Sequence, residues 1–202
     1  MKYNTIIFDL GGVFVDWNPR HFYKNIFATN EEMEYFLEHI CTNDWNENQD
    51  AGNDSKEATE ALVKRHPKYE KFIRMYYSNW EKMLNGTDKE MEKLLKKLKS
   101  NPSLRIYALT NWSHEYFPRA LELFDFLQMF EGIVVSGVEK TRKPHKEIYE
   151  IILNRYNITP TQAIFIDDNK RNLVTSAELG IKSLHFTSHI NLEEDLKQLG
   201  IL

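Results

Sequence analysis

One cysteine in 202 residues, Cys41, leaves no partner for an internal disulfide and no cysteine-built metal centre. The histidines show no ligand-like spacing, so a zinc-type site has no candidate donors. No apolar run approaches the ~20 residues needed to cross a bilayer. The chain starts straight into a strand-like segment, without the charged-then-apolar layout of a secretory leader. These absences make a cytoplasmic location the expectation. A formal charge of −4 supplies no general attraction to nucleic acid or anionic membranes, so neither is an expected partner. Internal repeats and low-complexity stretches are also missing. What is left is ordinary, 42% apolar and 28% charged, which is enough for a real core. Length alone allows one domain, or one domain carrying an insertion, as a monomer or weak homodimer.

The apolar pattern supplies the organisation. Thr5-Ile-Ile-Phe8 reads as a strand buried on both faces, and Leu104–Leu109, Gly132–Val135 and Ala163–Ile166 match it. Lys182–Phe186 is a weaker fifth. Helical patterns near 113–124, 144–156 and 170–179 lie between them, the last stopped by Gly180. Strands alternating with helices predict an α/β fold, a Rossmann-like doubly wound parallel sheet. Residues 18 to 100 break the alternation, with helical patterns and no convincing strand. Asn18-Pro19 has the form of a helix start, and Thr29-x-x-Glu32 and Thr87-x-x-Glu90 have capping-box spacing. Phe72, Ile73, Tyr76, Trp80, Met83 and Leu84 recur at helical intervals, whereas Thr42–Ser55 is polar enough to read as a loop. The expected division is therefore a core of residues 1–17 and 88–202 and an inserted all-helical cap of residues 18–87.

In an open α/β sheet, ligands sit beyond the carboxyl ends of the strands. The residues there are Asp9, then Thr110 and Asn111, then Lys143 after a short connection, then Asp167 and Asp168. Asp9 is delivered by an apolar strand, and Gly11 and Gly12 let main-chain N–H groups approach whatever it meets. A carboxylate so placed can be a nucleophile, a metal ligand or both. Asp9 with Asp167 and Asp168 makes a cluster of three acids that needs a cation, and carboxylates without His or Cys suit Mg²⁺. Thr110 and Asn111 offer a hydroxyl and an amide at a strand-to-helix junction. Lys143, placed near a helix start where the dipole disfavours a cation, calls for an anionic partner. Each feature also has a bland reading as a turn, a cap or a hinge.

Phe-Asp-Leu-Gly-Gly-Val (8–13), Leu-Thr-Asn (109–111), Arg-Lys-Pro-His-Lys-Glu-Ile-Tyr (142–149) and Phe-Ile-Asp-Asp-Asn-x-x-Asn (165–172) occur in that order. Together they resemble the four signatures of the haloacid-dehalogenase-like hydrolase superfamily. The helical insertion resembles its small helical-cap branch, and two of the motifs resemble sugar-phosphate phosphatases of the alpha-glucose-1-phosphate type. The resemblance implies that Asp9 attacks phosphorus and forms an aspartyl-phosphate that water cleaves, the substrate being a small phosphorylated metabolite. It implies Mg²⁺ held by Asp9, the carbonyl of Gly11 and Asp168, with Asp167 as a further or water-mediated ligand. It assigns the phosphoryl oxygens to Thr110, Asn111 and the N–H groups of Leu10 and Gly11. Lys143 then neutralises charge and Asn172 supports the acidic loop.

One departure matters. Most phosphatases of that superfamily carry a second Asp two residues after the nucleophile, as proton donor and later as base. Here the position is Gly11. Loss of a general acid/base typically costs about 10²–10⁴-fold in rate. Three readings compete: a phosphatase that manages without the group, a metal-independent 2-haloacid dehalogenase whose halide needs no proton, and a non-catalytic phosphate-binding or regulatory protein. Asp16 is the sequence's candidate for a substitute acid, against the preferred reading of it as a hinge residue near the cap helix. Among the aromatic residues, Trp17 and Trp112 follow catalytic-loop motifs closely and are expected to touch substrate. Phe22, Tyr23, Trp45 and Trp80 are expected mainly as cap core.

Overall fold

The structure, a computed structural model, describes residues 2–202. Strand β1 (Thr5–Phe8) leads into a short loop and β2 (Val15–Trp17). Helices α1 (Pro19–Tyr23), α2 (Asn30–His39), α3 (Asn43–Asp50), α4 (Ser55–Arg65) and α5 (Glu70–Ser78) follow, before β3 (Leu84–Thr87) returns the chain. Then come α6 (Lys89–Lys99), β4 (Arg105–Thr110), α7 (Phe117–Leu123), β5 (Gly132–Val135), α8 (Ser136–Glu139) and α9 (Lys146–Arg155). The chain closes with β6 (Ala163–Asp167), α10 (Lys170–Glu178), β7 (Lys182–His185) and α11 (His189–Gln198).

The main sheet is five-stranded and parallel, in the order β5-β4-β1-β6-β7. Its register puts Ile6 beside Ile106 and Ile164, and Ile7 beside Tyr107 and Phe165. Because successive strand residues face opposite ways, these rows feed two cores. Ile6, Phe8, Ala108 and Ile166 pack with Met91, Leu94, Leu95 and Leu98 of α6 and with Leu192 and Leu196 of α11. Ile7, Tyr107, Leu109 and Phe165 pack with Ile148, Tyr149 and Ile152 of α9. Each of the large aliphatic and phenylalanine side chains among them contributes roughly 1.5–3 kcal/mol on burial, which pins the register against a one-residue slip. The doubly wound sheet expected from the apolar rhythm is what forms. Chain order reverses between β1 and β6, so the ends carrying Asp9 and Asp167 are neighbours at the switch point.

Helices α1 to α5 pack around a core of their own, built from Phe22, Tyr23, Phe36, Trp45, Leu62, Ile73, Tyr76 and Met83. This unit is tethered to the sheet by the antiparallel ribbon of β2 and β3. Three local expectations change. Leu84–Thr87 is a strand, although Leu-Asn-Gly-Thr has no apolar alternation, because pairing with β2 rather than burial holds it. Thr42–Ser55 contains helix α3, capped by Thr42, instead of a loop. Its inward face is largely polar (Asn46, Glu47 and Gln49 are buried), so no apolar stripe announces it. Finally, α6 is capped by Asp88, whose carboxylate accepts from the N–H groups of Glu90 and Met91, while Thr87 stays in the ribbon opposite Val15.

Candidate active site

β1 ends at Phe8 and its next residue, Asp9, is buried at the mouth. The Asp9 main-chain N–H donates to Ile166 O at 2.8 Å, carrying the ladder one step past the strand. Asp9 Oδ1 accepts from the N–H of Leu10 at 2.7 Å and lies 2.8 Å from Lys143 Nζ. Leu10's N–H, expected to face a phosphoryl oxygen, is therefore engaged within the protein.

Lys143 is fully buried and its ammonium bridges Asp9 and Asp167, 2.7 Å from Asp167 Oδ2. It lies ahead of α9 rather than in its first turn, so its compensating anions are these two carboxylates and not a helix-end ligand. Asn111 fixes it from the β4 side: Lys143 N–H donates to Asn111 Oδ1 at 2.8 Å, and Asn111 Nδ2 donates to Lys143 O at 3.0 Å. The Asn111 side chain thus acts on the lysine's backbone in this structure. Thr110, the buried last residue of β4, stands beside it.

The acidic pair divides as adjacent strand-end residues must. Asp167 points inward with no exposure, and each of its oxygens receives two donors. Oδ1 takes the N–H of Asn169 (2.8 Å) and Asn172 Nδ2 (3.0 Å), and Oδ2 takes Lys143 Nζ and Asn172 Nδ2 (3.0 Å). Asp168 turns outward over Gly12, whose φ of +71° leaves no place for a side chain: a Cβ there would meet Asp168 Oδ2 at 2.3 Å. Helix α10 is capped by Asn169, not by either acid.

Carboxylate oxygens of Asp9, Asp167 and Asp168 lie within 4.8 Å of one another. Three carboxylates against one ammonium leave a surplus of two negative charges when all are ionised. Burial, then the two neighbouring acids, push the Asp9 carboxyl well above its ordinary range, with Lys143 opposing. Asp168 is raised by burial and by Asp167. Burial would lower Lys143, but Asp167 and Asp9 together hold it above its usual value. The donor set is hard, oxygen-only and short of about one divalent cation, so it fits Mg²⁺.

A cavity opens beside Gly11 under the helical unit. Trp17, Trp80, Trp112, Tyr77 and Tyr116 line it, together with Asn46, Asp50, Asn111 and Ser113. The indole N–H groups of Trp17 and Trp112 are buried without an acceptor among the described residues, leaving two donors for a ligand. Trp80 also reaches this cavity, stacked on Tyr116 (5.4 Å between ring centres), whereas Phe22, Tyr23 and Trp45 belong to the helical core. Asp16 is elsewhere. It alternates with Val15 and Trp17 on the ribbon, so it projects from the opposite face. Hydrogen bonds from His21 and Asn85 keep its carboxyl below the ordinary value, a poor state for a proton donor. Asp50, Asn46, Tyr77 and Tyr116 were not singled out from the sequence. The i,i+4 spacing of Asn46 and Asp50 is the available signal, and the polarity of the stretch hides it.

Residues 6–186 match the family model described as "Haloacid dehalogenase-like hydrolase". The chain belongs to that family. A similar protein is the sesquiterpene phosphatase astK of Aspergillus oryzae, 26% identical over 197 residues, covering 98% of this chain and 96% of the other. Two solved structures share the fold. One is a "predicted HAD-like family hydrolase" from Porphyromonas gingivalis, with TM-score 0.69, 18% identity and 98% of each chain covered. The other is the HAD family enzyme bt-2542 of Bacteroides thetaiotaomicron in complex with magnesium and inorganic phosphate. Its TM-score is 0.67 at 21% identity, with 92% of this chain and 94% of that one covered.

Proposed function

We propose that this hydrolase is a Mg²⁺-dependent phosphatase that removes phosphate from a small phosphorylated metabolite through an aspartyl-phosphate on Asp9. The observation that carries the reading is the charge arrangement. A carboxylate at the switch point is held through Oδ1 by Leu10 N–H and Lys143, beside an acidic cluster whose three carboxylates outnumber the one ammonium that faces them. With Oδ1 so engaged, Oδ2 is the oxygen presented to phosphorus. Thr110 Oγ1, the Gly11 N–H and the remaining Lys143 proton are the donors assigned to the phosphoryl oxygens. Asn111 serves by holding Lys143. Positioning and charge stabilisation then do most of the catalysis, as in-line phosphoryl transfer requires.

Asp9 and Asp168, with the Gly11 carbonyl, are the residues assigned to Mg²⁺. Asp167, its oxygens saturated, acts through its charge and through Lys143. The ion would neutralise the surplus of negative charge and so let Asp9 and a phosphoryl group share the mouth. A dehalogenase has no use for that surplus, which makes it the weaker reading.

The helical unit, residues 18–87, is assigned the role of a cap that excludes water from the mouth. For the leaving group, a sugar fits the amides and carboxyl of the cavity together with its rings. A second class, the phosphate of an apolar alcohol, is favoured by the five aromatic side chains and by the similarity to a sesquiterpene phosphatase. The test is a panel of phosphorylated metabolites, sugar phosphates and prenyl phosphates included, assayed with and without Mg²⁺ beside Asp9→Asn. Phosphate release that needs both the metal and Asp9 is expected. Metal-independent chloride release from 2-chloropropionate would select the dehalogenase, and phosphate binding without turnover the regulatory protein.

A further inference from the structure

We propose that Asp50, carried in from helix α3 of the helical unit, performs the proton transfers that Gly11 cannot. The inference rests on the phosphatase reading above and supplies the component that reading lacks. Among the described residues, Asp50 is the one acid that lines the cavity beside Gly11. Space for such a group exists on the Gly11 side as well, since a Cβ built there meets nothing within 4 Å.

The carboxyl is fixed from two sides. Asn46 Nδ2, one turn earlier on α3, donates to Asp50 Oδ2 at 3.0 Å, and the Ser113 main-chain N–H faces the same carboxyl closely enough to oppose the rise in its pKa. Ser136 Oγ donates to the Asp50 main-chain carbonyl and accepts the Trp112 main-chain N–H at 2.9 Å. Asp50 is thereby tied to the loop after β4 that also carries Asn111. Glu47 strengthens the tie. Its carboxylate is 2.7 Å from both Arg142 and Arg171, and Arg142 directly precedes Lys143. The charged and titratable groups facing Asp50 are thus Glu47 from its own helix, Arg142 from the lysine loop, and Tyr76 and Tyr77 from α5. Burial, then Glu47, raise Asp50 to about 7 against the pull of the Ser113 N–H and Arg142, which suits a group that must both give and take a proton near neutrality.

The steps balance. As Asp9 bonds to phosphorus, the bond to the leaving oxygen breaks with its electron pair, and the Asp50 proton goes to that oxygen, releasing the alcohol. The Asp50 carboxylate then takes a proton from water as the water oxygen attacks phosphorus. The Asp9–phosphorus bond breaks back to the carboxylate, and Asp50 is again protonated as phosphate leaves.

The experiment uses the full chain with Mg²⁺ and p-nitrophenyl phosphate, whose leaving group needs no proton. Asp50→Asn should release a burst of about one p-nitrophenolate per enzyme and then turn over about 10²–10⁴-fold more slowly than wild type, because only the second step lacks its base. Adding Gly11→Asp to Asp50→Asn should recover at least tenfold of that loss and abolish the burst, a rescue that mere misfolding would not allow. Turnover by Asp50→Asn within threefold of wild type, or loss of burst and turnover together without rescue, overturns the assignment. Asp9→Asn run alongside separates the two ideas. If Asp9 is required and Asp50 is not, only the Asp50 role falls; if Asp9→Asn turns over like wild type, the aspartyl-phosphate reading falls as well.

Discussion

Asp50→Asn should make the protein more stable at pH 8 while leaving its stability near pH 4 almost unchanged. In the unfolded chain this carboxyl titrates near its ordinary 3.8, but in the fold burial and the Glu47 carboxylate raise it to about 7. A folded state that holds a proton more tightly than the unfolded one loses stability as pH rises between those two values. At ~1.4 kcal/mol per pH unit, the interval from 3.8 to about 7 corresponds to ~4 kcal/mol once Asp50 is ionised. Asparagine has no charge to bury, and its oxygen can still accept from Asn46, so the variant escapes most of that loss. Urea unfolding of both proteins at pH 4, 6 and 8 measures it: the gap in unfolding free energy should be near zero at the lowest pH and widen upward. A constant gap, or a variant less stable than wild type at pH 8, would refute the reasoning. Stability gained with activity lost is the pattern expected of a strained functional residue.

Lys143→Met leaves Asp9 and Asp167 buried without their ammonium. It should cost roughly 3–5 kcal/mol near neutrality, and less as acid protonates Asp9, measured by denaturant unfolding across pH; a loss independent of pH would contradict the charge argument. Gly12→Ala forces a Cβ into the Asp168 carboxylate at a positive φ. Calorimetric titration with Mg²⁺ should show affinity reduced at least tenfold, and unchanged affinity would remove Asp168 from the proposed ligand set. Glu47→Gln weakens both ion pairs that hold α3 to the core, with an expected cost of about 1–3 kcal/mol in thermal or chemical unfolding; wild-type stability would show that the two arginines do not depend on it.

The sheet was legible because its strands are buried on both faces and read as unbroken apolar runs, from Thr5–Phe8 to Ala163–Ile166. The mouth was legible for the same reason: where each run stops, a polar residue must stand at the sheet edge. Asp9, Thr110 and Asp167 are found there, and Lys143 joins Asp9 to Asp167. What sequence could not show is who holds whom. Asn111 and Leu10 offer donors to any acceptor, and only the fold shows those donors spent on Lys143 and Asp9. Helix α3 shows no apolar stripe because its buried face carries Asn46, Glu47 and Gln49, and Asn46 and Glu47 find partners far away in sequence, in Tyr77 and Arg171. Asp50 is hidden with it. Of the two roles open to Asp16, substitute acid or hinge near the cap, its place on the ribbon with Asn85 and His21 agrees with the hinge, because strand alternation turns it away from the cavity that Trp17 lines.

The most direct measurement is acid-quenched single turnover with ³²P-labelled substrate and Mg²⁺, followed by peptide mapping. The account predicts a transient label on the peptide containing Asp9, dependent on the metal and lost in Asp9→Asn. Phosphate release by a protein that never carries label at Asp9, and that survives Asp9→Asn, would contradict it.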